Sequence, residues 1–149
     1  MERVNSSQNN CRSSPEESLV VDTACTKSLK KPGSLAEFKI CERTGHIKFN
    51  AVGSSLYTEK IGKYKLPVYD VYRKKIVYCI EEFAESNEVD VDLLSASKRK
   101  IYTGRRVGWV ELQGEDGKKV RARTIRRNGL ICLWLSGQKN IEVCMKNEY

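Results

Sequence analysis

The side chains with the clearest chemical potential lie in one short segment, where two tryptophans accompany a run of arginines and lysines. Trp109 and Trp134 are the only tryptophans of the chain, and the stretch KKVRARTIRR at 118–127 lies between them. Cationic side chains neutralise phosphates, and exposed aromatic rings stack on unpaired bases. If these side chains share one surface, the segment has the chemistry of a site for single-stranded nucleic acid.

The positive charge of the chain is concentrated around this segment. The net charge is +8, from 27 lysines and arginines against 19 aspartates and glutamates. Residues 98–149 carry 13 cations and five anions, a balance of +8, whereas residues 1–35 and 36–97 amount to +1 and −1. Because a clustered excess produces a local electrostatic field, we expect an anionic partner at this part of the molecule.

Catalysis and metal binding have no comparable signature in the sequence. His46 is the only histidine, so it offers no dyad or triad, and no glycine loop of the kind that cradles phosphates occurs. The six cysteines form no CxxC pair, and Cys41 with His46 gives one close pair of ligands where zinc needs four. We therefore predict a protein that is not an enzyme and that holds no metal ion and no cofactor.

The N-terminal segment has a different composition from the rest of the chain. Residues 1–35 are rich in Ser, Asn, Lys and Glu and show no apolar periodicity. Such a segment cannot bury enough apolar surface to offset its ordering entropy. We therefore predict a flexible tail over residues 1–35 and a single α+β domain over residues 36–149.

Targeting features favour an intracellular location. No apolar stretch of the sequence is long enough to span a bilayer, and the beginning of the chain lacks the apolar run of a signal peptide. The basic clusters KRK at 98–100 and RR at 105–106 are typical of nuclear-import signals. We expect a nuclear or cytoplasmic protein without a membrane partner.

Two patterns that precede the basic segment define the first part of the α+β fold. The stretch AEFKICERTGHIKFNAV at 36–52 alternates apolar and polar residues around a polar turn at 43–46, which predicts an N-terminal β-hairpin. The stretch LPVYDVYRKKIVYCIEEFAESN at 66–87 repeats apolar residues every three or four positions after Pro67, which predicts one long amphipathic helix. Asp90 as a cap and the cations at 98–100 favour a short helical turn between them.

The C-terminal third predicts a four-stranded antiparallel meander. Its strands are separated by three turn signals: GEDG at 114–117, Asn128-Gly129 and GQKN at 137–140. A three-residue loop that ends on a left-handed Gly117 places apolar residues opposite apolar ones. This register pairs Leu112 with Val120, Val110 with Ala122, Glu111 with Arg121 and Trp109 with Arg123. A two-residue turn at 128–129 then pairs Thr124 with Leu133 and Arg123 with Trp134.

The predicted register gives the meander two distinct faces. One is a core face formed by Val110, Leu112, Val120, Ala122, Leu133 and Leu135. The opposite face carries Trp109, Arg123 and Trp134 in one row. Two structural alternatives stay open for this row, since Arg123 between two indoles can simply stabilise the sheet, or the helix can cover a Trp134 that belongs to the core.

These observations lead to a functional hypothesis with one alternative. We expect a small basic protein that binds nucleic acid, single-stranded RNA or DNA rather than duplex, through an aromatic-lined sheet face. The alternative is an adaptor that docks an acidic protein partner on the same surface, because Trp and Arg are enriched in interface hot spots. The sequence leaves the oligomeric state open. The predicted site residues are Arg105, Arg106, Trp109, Lys119, Arg121, Arg123, Arg127 and Trp134.

Overall fold

The computed structural model describes residues 18–51 and 54–137, and for residues 45–51 and 54–59 it describes the backbone alone. This part of the chain contains ten β-strands, a short 3-10 helix at Ala36–Phe38 and no α-helix. The strands are β1 (Leu19–Asp22), β2 (Ser28–Lys30), β3 (Lys39–Ala51), β4 (Ser54–Asp70), β5 (Lys75–Glu85), β6 (Asp92–Ser95), β7 (Ile101–Thr103), β8 (Gly108–Gln113), β9 (Lys119–Arg127) and β10 (Leu130–Leu133).

The ten strands form one sheet, which closes on itself as a seven-stranded barrel. The order around the barrel is β4, β5, β2, β6, β1, β10 and β9, and pairing of Asp70 in β4 with Ala122 in β9 joins its two ends. Outside the barrel, β3 extends the sheet beyond β4, and β8 and β7 extend it beyond β9. The pairs β1–β6 and β2–β5 are parallel, and the other neighbouring strands are antiparallel.

The predicted long helix over residues 66–87 is wrong, and with it the α+β fold class. These residues form the end of β4, a turn at residues 71–74 and β5. The spacing of three and four residues arose because two strands and a tight turn follow one another, and two members of the apparent apolar stripe, Tyr72 and Ile76, are exposed. The segment is rich in β-branched and aromatic residues, which favour a strand over a helix.

The turn between β4 and β5 depends on a buried carboxylate. Oδ1 of Asp70 accepts hydrogen bonds from the backbone N–H of Tyr72 at 2.9 Å and of Arg73 at 3.3 Å. The backbone N–H of Lys74, a residue with φ of 58°, donates to the carbonyl of Asp70 at 2.7 Å. An aspartate that bonds to the backbone N–H two residues later is a typical turn initiator, so the chain reverses where the helix was predicted to continue.

The N-terminal hairpin over residues 36–52 is also wrong in its detail. The residues expected to form its turn, 43–46, lie within the long strand β3, which pairs with β4. The pairing shifts between Thr44 and Ile47, so the extra residues form an irregularity in a continuing strand. A polar segment that contains a glycine is therefore a local bulge here and not a chain reversal.

The flexible tail predicted for residues 1–35 is wrong for residues 18–35, and residues 1–17 lie outside the described part. β1 and β2 both belong to the barrel, where Leu19, Val20 and Leu29 are buried. Their neighbours β6 and β5 come from distant parts of the sequence, so no local apolar pattern reveals these strands. The helical turn predicted over residues 90–100 likewise contains β6, which pairs with both β1 and β2.

The registers predicted for the C-terminal strands are confirmed. β8 pairs with β9 through Trp109↔Arg123, Val110↔Ala122, Glu111↔Arg121 and Leu112↔Val120, and β9 pairs with β10 through Leu133↔Thr124. Gly117 has φ of 86°, and Asn128 and Gly129 both have positive φ, as the predicted turns require. The fourth strand of the meander, predicted after the GQKN signal, lies outside the described residues.

Two apolar clusters occupy opposite faces of the barrel strands. Leu133 and Leu135 belong to the first cluster, and Cys132 and Trp134 to the second, as the alternation of an extended chain requires. All six residues of the predicted core face are buried in the first cluster: Val110, Leu112, Val120, Ala122, Leu133 and Leu135. The prediction of this face is confirmed.

Replacement of Asp70 tests the importance of the turn between β4 and β5. Asp70→Ala removes the acceptor for two backbone N–H groups, and we expect the free energy of unfolding to fall by about 1–3 kcal/mol in urea denaturation. Asp70→Asn is the matched control, because its amide oxygen keeps one acceptor, and it is expected to cost less. Equal urea midpoints for Asp70→Ala and the wild type would contradict this role of the carboxylate.

Cysteine alkylation tests the burial of the strands. Cys25, Cys79 and Cys132 are buried, whereas Cys41 is exposed. Burial raises the pKa of all three buried thiols, that of Cys79 to about 12, so little thiolate forms near neutral pH.

Native protein treated with iodoacetamide at about pH 8 should therefore be modified at Cys41 long before Cys25, Cys79 or Cys132, as measured by peptide mass spectrometry. In denaturant all four should react at similar rates. Modification of Cys79 as fast as that of Cys41 in the native protein would contradict the described fold.

Candidate functional site

The antiparallel strands β7, β8 and β9 bring aromatic and cationic side chains together on one face. Tyr102 in β7 pairs with Trp109 in β8, which in turn pairs with Arg123 in β9. The rings of Tyr102 and Trp109 are stacked, with centroids 6.0 Å apart and planes inclined by 26°. Directly opposed aromatic residues on neighbouring strands are a stabilising cross-strand pair.

Arg121 connects this aromatic pair to a tyrosine from another part of the chain. Its guanidinium carbon lies 3.9 Å from the ring centroid of Tyr72 and 4.8 Å from that of Trp109. Tyr72 lies in the turn between β4 and β5, and this turn is attached to β9 because the N–H of Val71 donates to the carbonyl of Arg121 at 3.0 Å. The closure of the barrel therefore places the tyrosine over the guanidinium.

We call Tyr72, Arg121, Trp109 and Tyr102 the aromatic row. Arg121 and Trp109, in its middle, are partly buried and are already contacted by their neighbours. The tyrosines at its ends are far more open, with Tyr72 70% exposed and Tyr102 53% exposed. Additional planar groups thus have access to the rings at the two ends of the row.

Charged side chains surround the Tyr72 end of the row. An open depression of about 360 Å³ is lined by Tyr72, Arg121 and two further cations, Arg73 and Lys119. Acidic groups moderate the field here, because Nε of Arg73 lies 3.4 Å from Oδ2 of Asp70 and Nζ of Lys119 lies 4.0 Å from a carboxylate oxygen of Glu111. The depression therefore offers cations for an anion, with Lys119 the most exposed of them.

Three of the predicted site residues are buried and are therefore not accessible at this surface. Arg123, Arg127 and Trp134 are all less than a tenth exposed. Trp134 belongs to the second apolar cluster and contacts Tyr69 edge to face at 6.2 Å. The alternative in which Trp134 is a core residue therefore describes it correctly, although no helix covers it within the described residues.

Arg123 has a structural position beneath the loop between β7 and β8. Its Nη2 donates to the carbonyl of Arg106 at 3.5 Å. The side chains of Arg105 and Arg106, in that loop, are exposed. The row predicted from the sequence was Trp109, Arg123 and Trp134. Of these three residues, only Trp109 belongs to the aromatic row of the structure.

Two residues of the aromatic row, Tyr72 and Tyr102, were missed by the sequence analysis. Tyr72 was assigned to a helix, and its neighbourhood to Arg121 depends on a contact between segments about 50 positions apart. Tyr102 lies in the three-residue strand β7, which is too short to show an alternating pattern. The available signal for a cross-strand partner was its position two residues before Gly104, which precedes the strand of Trp109.

Comparisons with known proteins give no match to this chain among protein-family models, curated proteins or solved structures. Within residues 18–51 and 54–137, no helix has the length and apolar character needed to cross a membrane. In the same part of the chain, no group of three or more His, Cys, Asp or Glu side chains is arranged to hold a metal ion.

The different positions of Arg121 and Arg123 lead to a stability prediction. Arg123→Ala removes a buried side chain and its hydrogen bond to the loop, and we expect it to lower the free energy of unfolding by about 1–3 kcal/mol. Arg121→Ala removes a partly exposed cation–π contact and should cost about 0.5–1 kcal/mol. Urea denaturation of both variants measures the difference, and a larger loss for Arg121→Ala would contradict the assigned positions.

Proposed function

We propose that this protein binds single-stranded nucleic acid through the aromatic row. Bases stack on the exposed rings of Tyr72 and Tyr102, and phosphates are bound by the cations beside the row, Lys119 and Arg73. The observation that carries the proposal is the order of side chains in the row. Arg121 and Trp109 contact each other in the middle, and the tyrosine at each end keeps an exposed ring.

The charge distribution supports an anionic ligand. The positive excess of the chain lies within residues 98–149, which include three of the four members of the row. Long-range attraction by such a patch raises the local concentration of a polyanion and accelerates its association. The same basic clusters, at 98–100 and 105–106, favour a nuclear or cytoplasmic location for this function.

The shape of the site favours single strands over duplexes. The described residues contain no α-helix that could enter a major groove, and the row consists of ring faces. A ring face recognises a base only when the base is unstacked, as in single-stranded RNA or DNA. Since stacking accepts every base, we expect little sequence preference from the row.

An adaptor that docks an acidic protein is the second candidate. Ile76 and Tyr78 are exposed on β5, in the hairpin whose turn carries Tyr72, and they add apolar surface that a nucleic acid does not need. Tyr, Trp and Arg are also the residue types of interface hot spots. We rank this function second because Ile76 and Tyr78 lie outside the stacked row.

Oligonucleotide binding by variants tests the proposal. We expect Tyr72→Ala and Tyr102→Ala each to weaken binding of a mixed-sequence single strand by about 10- to 100-fold, since stacking of a base contributes about 1–3 kcal/mol. If about four phosphates are neutralised, the logarithm of the association constant should fall with the logarithm of salt concentration with a slope of about −3. Fluorescence anisotropy of a labelled oligonucleotide measures both.

Tyr78→Ala is the matched control, because this tyrosine is also exposed on the barrel but contacts Lys65 outside the row. It should bind the oligonucleotide as the wild type does. Binding that is absent, independent of salt or equally weakened by Tyr78→Ala would contradict the proposal. A folded protein partner that is lost with Tyr78→Ala, together with absent oligonucleotide binding, would favour the adaptor.

A further inference from the structure

A second basic feature lies where the loop between β7 and β8 meets β9 and β10. It is a cavity of about 230 Å³, and its lining includes three arginines, two threonines and a glycine: Arg105, Arg106, Arg126, Thr103, Thr124 and Gly108. Pockets for drug-sized molecules are generally about 300–1,000 Å³, so this cavity suits a small polar group. The aromatic row does not use any of these residues.

The charges at this cavity are all of one sign. No carboxylate is among its lining residues. Within the described part of the chain, no ion pair involves Arg105, Arg106 or Arg126. Three arginines line one small space, and an anion between their guanidinium groups would offset the mutual repulsion of these groups. The electrostatics of the cavity therefore favour an anionic occupant.

A close contact between a glycine and a threonine borders the cavity. Gly108 in β8 pairs with Thr124 in β9, and a Cβ at position 108 would lie 2.6 Å from Oγ1 of Thr124. Any side chain at position 108 would therefore displace the hydroxyl group. The adjacent loop is fixed by a hydrogen bond from the N–H of Gly104 to the carbonyl of Val107 at 3.1 Å and by the bond from Arg123 to Arg106.

We propose that this cavity binds a phosphate monoester, and that its ligand is the terminal phosphate of the strand bound on the aromatic row. Guanidinium groups bind phosphate oxygens through two parallel N–H donors, and the two threonine hydroxyls add neutral donors. A terminal phosphate carries a charge of about −1.5 to −2 at neutral pH, more than a phosphodiester of the backbone. Three arginines around a small space match that higher charge.

Tyr102 connects the cavity to the aromatic row. It directly precedes Thr103 in the cavity lining, and its ring lies so close to Gly104 that a Cβ there would be 2.8 Å from Cε2 of the tyrosine. The cavity and the row lie on opposite faces of these strands and meet at the loop between β7 and β8, so a strand whose terminal base stacks on Tyr102 would pass around this loop to place its phosphate in the cavity. This part of the inference rests on the proposed function, whereas the binding of phosphate by the cavity does not.

Oligonucleotides of one sequence with a 5′-phosphate, a 3′-phosphate or no terminal phosphate test the inference. At about pH 7.5 one phosphorylated form should bind at least about tenfold more tightly than the unphosphorylated form, because charge-assisted hydrogen bonds are added. The difference should shrink at about pH 5.5, where the terminal phosphate loses charge while arginine does not.

A second experiment measures the melting temperature of the protein with millimolar inorganic phosphate at constant ionic strength.

Variants assign the effect to the cavity. Arg126→Gln and Thr124→Val should each reduce the preference for the phosphorylated strand by about tenfold and leave the affinity for the unphosphorylated strand unchanged. Lys63→Gln removes an exposed cation on β4, away from both surfaces, and should keep the preference. Arg126 is exposed, so its variant is expected to fold even if Thr124→Val does not.

The outcomes separate this inference from the proposed function. Equal affinities of the three oligonucleotides with no response to inorganic phosphate would overturn the phosphate site and leave strand binding intact. If no oligonucleotide binds but inorganic phosphate raises the melting temperature of the wild type and not of Arg126→Gln, the cavity is a site for free phosphate and the proposed function is wrong. A response to inorganic phosphate with equal oligonucleotide affinities would overturn the assignment to a strand terminus.

Discussion

The pairing of β4 with β9 is the constraint on which both the barrel and its candidate site depend. Closure brings a buried carboxylate, Asp70, opposite Ala122, and the adjacent N–H of Val71 donates to the carbonyl of Arg121. The same contact that completes the barrel therefore places the ring of Tyr72 against the Arg121 side chain. Without it, Tyr72 has no fixed relation to the sheet and the aromatic row has only three members.

The arginines of β9 have different environments although they belong to one strand. Arg121 and Arg123 lie on the same face two residues apart, yet the first is partly exposed in the aromatic row and the second is buried below the loop between β7 and β8. Arg126 points to the other face and lines the basic cavity, and Arg127 is buried again. A basic strand is therefore not a uniform basic surface, because each guanidinium takes its environment from the strands beside it.

How much the sequence predicts depends on the range of the contacts involved. The registers of β8, β9 and β10 follow from turn chemistry at Gly117 and Asn128-Gly129 and from the matching of apolar faces, all of which are local. The helix prediction failed because a strand, a four-residue turn and a strand reproduce a helical spacing by coincidence. β1 and β2 were missed since their partners β6 and β5 lie more than 50 positions away along the chain. Of the aromatic row, the sequence identified the two middle members, Arg121 and Trp109, and missed Tyr72, which depends on a long-range contact, and Tyr102, which lies in a very short strand.

Arg121 contributes to the closure of the barrel and also to the aromatic row. Its carbonyl holds the barrel closure through Val71, while its guanidinium holds the ring of Tyr72. If a ligand stacks on the row as proposed, it favours the paired arrangement of β4 and β9 over one in which they separate, so part of its binding free energy stabilises that pairing. Under that proposal, a substitution that weakens the pairing of β4 with β9 would also weaken ligand binding, even where the substituted residue does not contact the ligand.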